Sequence, residues 1–300
     1  MFISVIIPTK NRANDLFFAI KSIVSQSRLP NQLIVIDQSE SNDSEELITS
    51  KIQIPINLEL KYVRDKTIKG LVEAKAKSLN YTKGDIICFL EDDIILEYNF
   101  IKEIENSFLI NTQIFGCSGI ITNVTSNNLF YRLFYRFTHV GIFKDERPHI
   151  FYKLQNKKNI LYKTNAINGG LSAWKKEVFS CIDFDFNNKF HMMEDFDFSF
   201  RVNKRLPNSL FINSNAKLVH NFSPVNRNIK TMAFKQKIFE YIVFFKKNNS
   251  NIYEYFSLLF LLIGLFFQAI IFCIKDLNPI YLFYYFHGIH NGIVHKIILK

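Results

Sequence analysis

Residues 3–7 form an apolar, β-branched run of the kind expected for a strand covered on both faces. Beyond a polar loop at residues 9–14, Leu16, Ile20, Ile23 and Val24 recur at helical spacing, and Pro30 closes that helix. A second buried strand at residues 33–36 ends at Asp37, and a short acidic helix through Glu45, Glu46, Leu47 and Ile48 follows. Residues 58–63 read as a third strand and 71–79 as a helix introduced by Gly70. The fourth strand, 86–90, runs straight into Glu91-Asp92-Asp93. A helix marked by Phe100, Ile104 and Phe108 and a fifth strand at 114–121 complete a strand-helix rhythm that predicts an α/β fold with a mostly parallel sheet flanked by helices.

From residue 122 to 165 the periodicity degrades into aromatic and basic residues such as Tyr131, Arg132, Phe134, Tyr135 and Arg136, expected to be an insertion lying over the sheet. A strand or turn at 169–174, a helix at about 196–204 and strands near 209–212 and 217–219 follow. Residues 255–274 are almost wholly apolar, and about 20 residues suit a bilayer span. These features divide the chain into a catalytic domain at residues 1–225 and a basic, hydrophobic, helical, membrane-associated region at 226–300.

Composition sharpens that picture. Hydrophobic residues make up 48% of the 300, with 32 phenylalanines, more than a soluble core needs. The net charge of +10 is open to several anionic partners, but from Asn221 onward nine basic residues face three acidic ones. That bias reads as a cytoplasmic, membrane-facing stretch, with a buried helix hairpin or a dimer interface as the alternative. No nucleic-acid-binding motif accompanies the charge, so nucleic acid is not an expected partner. The four cysteines are scattered singly, which fits reduced thiols and neither a zinc site nor a disulfide scaffold. The first eight residues lack a basic leader and stop at Pro8, so translation is expected to begin directly at a core strand.

Ligands of open parallel sheets sit beyond the carboxyl ends of the strands. Three strands here end in polar signatures: Thr9-Lys10-Asn11-Arg12, Asp37-Gln38-Ser39 and Glu91-Asp92-Asp93. Three adjacent acids after a buried strand repel one another unless a cation compensates, and Mg²⁺ or Mn²⁺ bridging a nucleotide diphosphate meets that need; a solvated acidic turn is the bland alternative. A second cluster, Glu194-Asp195-Phe196-Asp197 with Arg201, reads either as a helix cap or as a catalytic group. The one-turn spacing lets Asp197 pair with Arg201, leaving Asp195 as the candidate base. His220 closes its strand as a metal or diphosphate contact or as a structural histidine, and Trp174 stacks on a sugar or packs in the core.

Taken in order, Val5 to Arg12, Val35 to Ser39, Gly84-Asp85 with Phe89 to Asp93, Gly169-Gly170, and the Glu194 cluster with Arg201 resemble the family 2 glycosyltransferases of the GT-A (Rossmann-like) fold across residues 2–225. The resemblance implies that Pro8, Thr9, Arg12 and Asp37 hold the nucleoside of a nucleotide-diphosphate sugar. Asp92 and Asp93 would bind ribose and metal, with Glu91 and His220 completing the metal site, and Gly170 would line the donor pocket. Asp195, with Glu194 beside it, would be the base of an inverting transfer to a saccharide or lipid-linked acceptor. Where the family often carries Ala-Arg-Asn, this chain has Ala74-Lys75-Ala76, so a donor contact there falls to Lys75; Glu91 stands where Asp is usual. Two alternatives stay open: a nucleotidyltransferase, which would want a glycine-rich loop that residues 9–14 lack, and a catalytically inert membrane-bound nucleotide-sugar binder.

Overall fold

The computed structural model describes residues 1–124, 128–225, 229–249 and 251–298. In chain order its elements are β1 (Ile3–Thr9), α1 (Ala13–Val24), β2 (Gln32–Asp37), α2 (Asp43–Lys51), β3 (Glu59–Arg64), α3 (Leu71–Ser78), β4 (Ile86–Leu90), β5 (Ile94–Leu96) and α4 (Phe100–Ile110). Then come β6 (Gly116–Ile121), α5 (Leu129–Thr138), α6 (Arg147–Leu154), β7 (Leu161–Thr164), β8 (Leu171–Lys175), α7 (Glu194–Arg205), β9 (Leu210–His220), α8 (Lys230–Asn248), α9 (Tyr253–Lys275) and α10 (Ile280–Val294). They fall into two compact units. One comprises Met1–Thr125, Glu146–Phe184 and Phe198–Arg227; the other comprises Ser126–Asp145, Asp185–Asp197 and Asn228–Lys300.

The first unit is a mixed sheet in the order β3-β2-β1-β4-β8-β6-β9-β5, with β7 paired to β9. β1, β2, β3 and β4 run parallel, and β8 is antiparallel to β4 and β6. Every residue of β1 and β4 is buried, because successive side chains feed opposite cores. Val5, Ile7, Ile86, Cys88 and Leu90 pack with Leu16, Ile20 and Ile23 of α1 and with Phe100, Ile104 and Phe108 of α4. Ile6, Ile87 and Phe89 pack on the other side with Val72 of α3, Ile150 and Phe151 of α6, and Phe198 of α7. Trp174 joins this second core, 3% exposed, its ring edge-on to Phe198 and its indole N–H on Ser172 Oγ, so it serves packing.

Three local expectations are revised. The strands expected at 209–212 and 217–219 are one strand, β9, whose register against β6 jumps between Ser118 and Ile120. A bulge takes up the polar stretch Asn213-Ser214-Asn215, and Asn213 donates to Glu103 O and Ser107 Oγ. A Cβ on Gly119 would stand 2.3 Å from Ala216 O, so the bulge needs glycine there. Second, the acidic turn after β4 leads into β5, a three-residue strand antiparallel to β9 and too short to show a period. Third, the insertion is structured: α6 lies on the sheet, β7 extends its edge, and α5 belongs to the second unit.

In the second unit α8 packs with α10, α9 with α10, and α5 with α9. Gly288 and Gly292 allow the first of these contacts, since a Cβ at either would approach Ile238 or Ile242 within 3.0 Å. α9 spans 23 residues and holds an 18-residue window of mean hydropathy 2.7, long and apolar enough to cross a bilayer, and 28% of that window is buried.

Candidate active site

The register of the central strands brings their polar ends together. β1 and β2 align Thr9 with Asp37, and β1 and β4 run side by side up to Ile6 and Phe89, which puts the Glu91-Asp92-Asp93 turn next to the end of β1. Thr9 Oγ1 donates to Asp92 Oδ2 at 2.7 Å, and Arg12 Nη1 to Asp92 Oδ1 at 2.8 Å. Arg12 also donates from Nε and Nη2 to Val225 O, tying the loop after β9 to the loop after β1. Burial pushes the Asp92 carboxyl up to about 6 against the opposing pull of Arg12 and Thr9.

Asp93 is 1% exposed, and its Oδ2 lies 3.7 Å from Arg12 Nη1. Ile94 pairs with His220 in the β5–β9 ladder, so the last residue of β9 meets the acid just before β5. His220 Nε2 lies 2.9 Å from Glu91 Oε2 and 3.0 Å from Asp93 Oδ1, within ion-pair distance of both carboxylates when the imidazole is protonated. Ser223 N–H donates to Asp93 Oδ2 at 2.9 Å. The His220 backbone is clamped on both sides by the Asn123 side-chain amide, and its ring stacks on Phe222 at 4.0 Å. Burial alone would raise the Asp93 pKa, yet His220, the Ser223 N–H and Arg12 outweigh it and hold it well below the carboxylate range. Burial would lower His220, and the two carboxylates instead raise it to about 9.

Glu91, Asp93 and His220 each offer a ligand atom within 4.8 Å of the others. Two carboxylate oxygens and one imidazole nitrogen fit a divalent ion: even with His220 protonated the trio carries net negative charge, and among the described residues the buried His220 Nε2 has no hydrogen-bond partner. Gly170 shapes this group. Its carbonyl accepts the Glu91 N–H at 2.9 Å, and a Cβ on it would fall 2.1 Å from Glu91 Oε1. Lys75, 2% exposed, supports the same turn by donating from Nζ to Gly169 O at 3.1 Å.

Asp37 is fully buried beside Pro8 and Ile36, accepting from Ser39 N–H at 2.8 Å and from Tyr62 OH at 2.6 Å. Pro8, Thr9, Arg12, Asp37, Lys75, Glu91, Asp92, Asp93, Gly170 and His220 all belong to the first unit. Glu194 and Asp195 open α7 within the second unit, Glu194 buried and Asp195 half-buried. There Lys247 Nζ grips Asp197 at 2.8 and 2.9 Å and Asp185 at 2.5 Å, while Glu240 accepts the N–H groups of His191, Met192 and Met193 that lead into α7. Sequence reasoning passed over Ser223, Asn123, Tyr62 and Glu240, and took Lys247 only as one of the membrane-facing basic residues upstream of the apolar segment. Of these, Glu240 carries a signal, as the one acid within the apolar stretch from Ile238 to Phe245.

A family model described as Glycosyl transferase family 2 matches residues 4–158. No curated protein matches the chain. Among solved structures, the mannosyltransferase PcManGT from Pyrobaculum calidifontis, in complex with GDP-Man and Mn²⁺, superposes with a TM-score of 0.62 at 12% identity, over 98% of this chain and 87% of that one. Staphylococcus aureus TarS 1-349 in complex with UDP-GlcNAc gives 0.60 at 13% identity, over 96% and 82%. GalNAc-T7 with UDP, GalNAc and Mn²⁺ gives 0.61 at 15% identity, over 82% of this chain and 48% of that one. At these identities the likeness is one of fold.

Proposed function

The chain belongs to glycosyl transferase family 2, and from that premise we propose that it moves a sugar from a nucleoside-diphosphate sugar to an acceptor hydroxyl with inversion at the anomeric carbon. The observation that carries this reading is the Glu91-Asp93-His220 group beside the Thr9-Arg12-Asp92 network at the ends of the parallel strands. Pro8, Thr9, Arg12 and Asp37 hold the nucleoside, Asp92 takes the ribose, and Lys75 and Gly170 shape the donor pocket. Glu91, Asp93 and His220 hold Mg²⁺ or Mn²⁺, and the imidazole in the set favours Mn²⁺. When bound, the ion offsets charge on the departing diphosphate as a Lewis acid.

Asp195 accepts the proton of the attacking acceptor hydroxyl, with Glu194 beside it. Residues 1–225 carry the chemistry. Residues 226–300 hold the protein at the cytoplasmic face of a membrane, a reading supported by the length and exposure of α9 and by the basic residues upstream of it. The acceptor is accordingly a saccharide or a lipid-linked saccharide of the envelope. The test is Mn²⁺-dependent release of nucleoside diphosphate across a panel of GDP- and UDP-sugars, using the full chain in neutral micelles. Donor binding with no release in the presence of any acceptor glycolipid supports an inert binding protein instead.

A further inference from the structure

The segment that leads into α7 is held by one stripe of α8, and both belong to the second unit. Gln236, Glu240, Phe244 and Lys247 recur at helical spacing along that stripe. Glu240 is fully buried and its carboxylate takes four donors: Oε1 accepts His191 N–H at 3.0 Å and Gln236 Nε2 at 2.9 Å, while Oε2 accepts Met192 N–H at 2.9 Å and Met193 N–H at 2.8 Å. One turn on, the Phe244 ring meets that of Phe196 with centroids 5.2 Å apart, and Lys247 grips Asp197. Asp195 thus stands between anchored neighbours, Met193 before it and Phe196 and Asp197 after it. The other side of α8, with Ile238 and Ile242, is seated on Gly288 and Gly292 of α10.

A helix that only packed would present an apolar side chain where Glu240 stands, since a buried carboxylate is costly unless its bonds are made. Three of the four bonds made here end on consecutive main-chain N–H groups, so they fix the path of the backbone rather than the rotamer of a side chain. Such an array needs an acceptor with two oxygens and no N–H of its own. An amide in the same place would turn its NH₂ either on Met192 and Met193 or on His191 and Gln236. Displacing a reacting group by about 1 Å costs on the order of 10²-fold in rate, so what fixes this backbone fixes the reach of Asp195.

We infer that Glu240 is a positioning residue of the transfer reaction: through the three N–H groups it holds the first turn of α7 so that the Asp195 carboxylate is in place to take the proton of the acceptor. This role rests on the reading of Asp195 as the base, and it gives α8 a part in the chemistry besides its place among the membrane-associated helices.

The test uses the full chain in neutral micelles with Mn²⁺ and the panel of GDP- and UDP-sugars, turnover being read as nucleoside diphosphate release. Glu240→Gln is expected to lower kcat by about tenfold or more at temperatures well below its melting point, and to speed deuterium exchange at residues 191–197. Because Glu91, Asp93 and His220 belong to the first unit, KM for the donor and Mn²⁺ affinity are expected to stay within about twofold of the parent. Combined with Asp195→Asn the change is expected to add less than about threefold, since both act through one carboxylate, whereas damage spread through the fold would multiply the two losses. Gln236→Met, which removes one donor to Glu240 at a half-buried position, is expected to show the same split at smaller amplitude and serves if Glu240→Gln does not fold. An unchanged kcat in folded Glu240→Gln or, failing that, in Gln236→Met overturns the proposal, as does a loss that multiplies with that of Asp195→Asn or one that donor and ion affinities follow in step. Absence of diphosphate release from the unaltered protein overturns the transferase reading and the catalytic role with it, and exchange at residues 191–197 then decides the anchoring by itself: unchanged rates in Glu240→Gln overturn it and faster ones support it.

Discussion

His220 Nε2 stands 3.0 Å from Asp93 Oδ1, joining the last residue of β9 to the acid that follows β4, 127 positions earlier in the chain, and Glu91 completes the group from 2.9 Å. The pair sets a pH dependence whose sign follows from the raised histidine. In the ion-free protein His220 titrates near 9 rather than 6.5, so its ion pairing stabilises the fold fully below 6.5 and is lost as pH rises through about 9. A metal ligand must be a neutral imidazole, so an entering ion expels that proton. Mn²⁺ affinity is therefore expected to tighten by up to about tenfold per pH unit between 6.5 and 9 and to level off above, following single-proton linkage. Calorimetry in buffers of different ionisation enthalpy at pH 7.5 should read about one proton released per ion. A pH-independent affinity would rule the imidazole out as a ligand.

Asp93→Ala is expected to weaken Mn²⁺ binding by roughly 10²-fold or more and to abolish ion-dependent turnover, since it removes the most buried oxygen of the set. Inductively coupled plasma measurement of bound manganese after dialysis reads the first effect apart from the second. Full manganese occupancy in the variant would place the ion elsewhere.

Gly170 makes a subtler prediction. Its φ lies outside the left-handed region, so alanine is acceptable to the backbone, but the added methyl would occupy the space of the Glu91 side chain. Gly170→Ala should keep the fold and lower Mn²⁺ affinity by about tenfold, of the order seen when a supporting group moves a ligand. Combined with Glu91→Ala it should add little, because both changes act through one carboxylate. Additive losses in the double variant would show that Gly170 acts by another route.

The parts of the fold legible in the sequence were those whose burial is two-sided or strictly periodic. β1 and β4 are apolar at every position because two cores need them, and α9 declares itself by length. Thr9, Arg12 and Asp92 were legible as a group because parallel strands must deliver their ends to one edge. β5 was not, since three residues hold no period, and β9 read as two strands because its bulge hides three polar residues in the ladder. Ser223 and Asn123 bind through backbone geometry that no side-chain pattern announces. Lys247 grips Asp197 from 50 residues away, a contact that no local spacing announces.

For Asp195 the expected outcome of Asp195→Asn is donor binding within about twofold of the parent and transfer slowed by roughly 10²- to 10⁴-fold, the usual worth of a general base. The amide keeps the shape of the first turn of α7 while removing the proton acceptor. Calorimetry of nucleotide-sugar binding and product formation with a glycolipid acceptor report the two quantities separately. Undiminished transfer would remove Asp195 from the chemistry.

Lys247 ties that same turn in place, and its removal should be felt as stability first. Its ammonium meets Asp185 at 2.5 Å and both Asp197 oxygens at 2.8 and 2.9 Å, with Asp197 1% exposed. Burial would raise the Asp185 carboxyl, yet Lys247 and Asn188 hold it below its ordinary 3.8, so its share of stability is present above that pH and lost as pH falls through the depressed value. Lys247→Met takes that cation from the buried Asp197 and the half-buried Asp185, at a cost of about 3 kcal/mol, the lower end for removing one partner of a buried pair. The melting temperature in neutral micelles should fall by several degrees at pH 7.5, and the gap to the parent should narrow at pH 4, where the two carboxylates take up protons more readily in the variant. Lys247→Arg, which keeps the charge, should lose much less. A gap that stays constant from pH 7.5 to pH 4 would mean that Lys247 contributes packing by its aliphatic stem against Phe190 rather than charge.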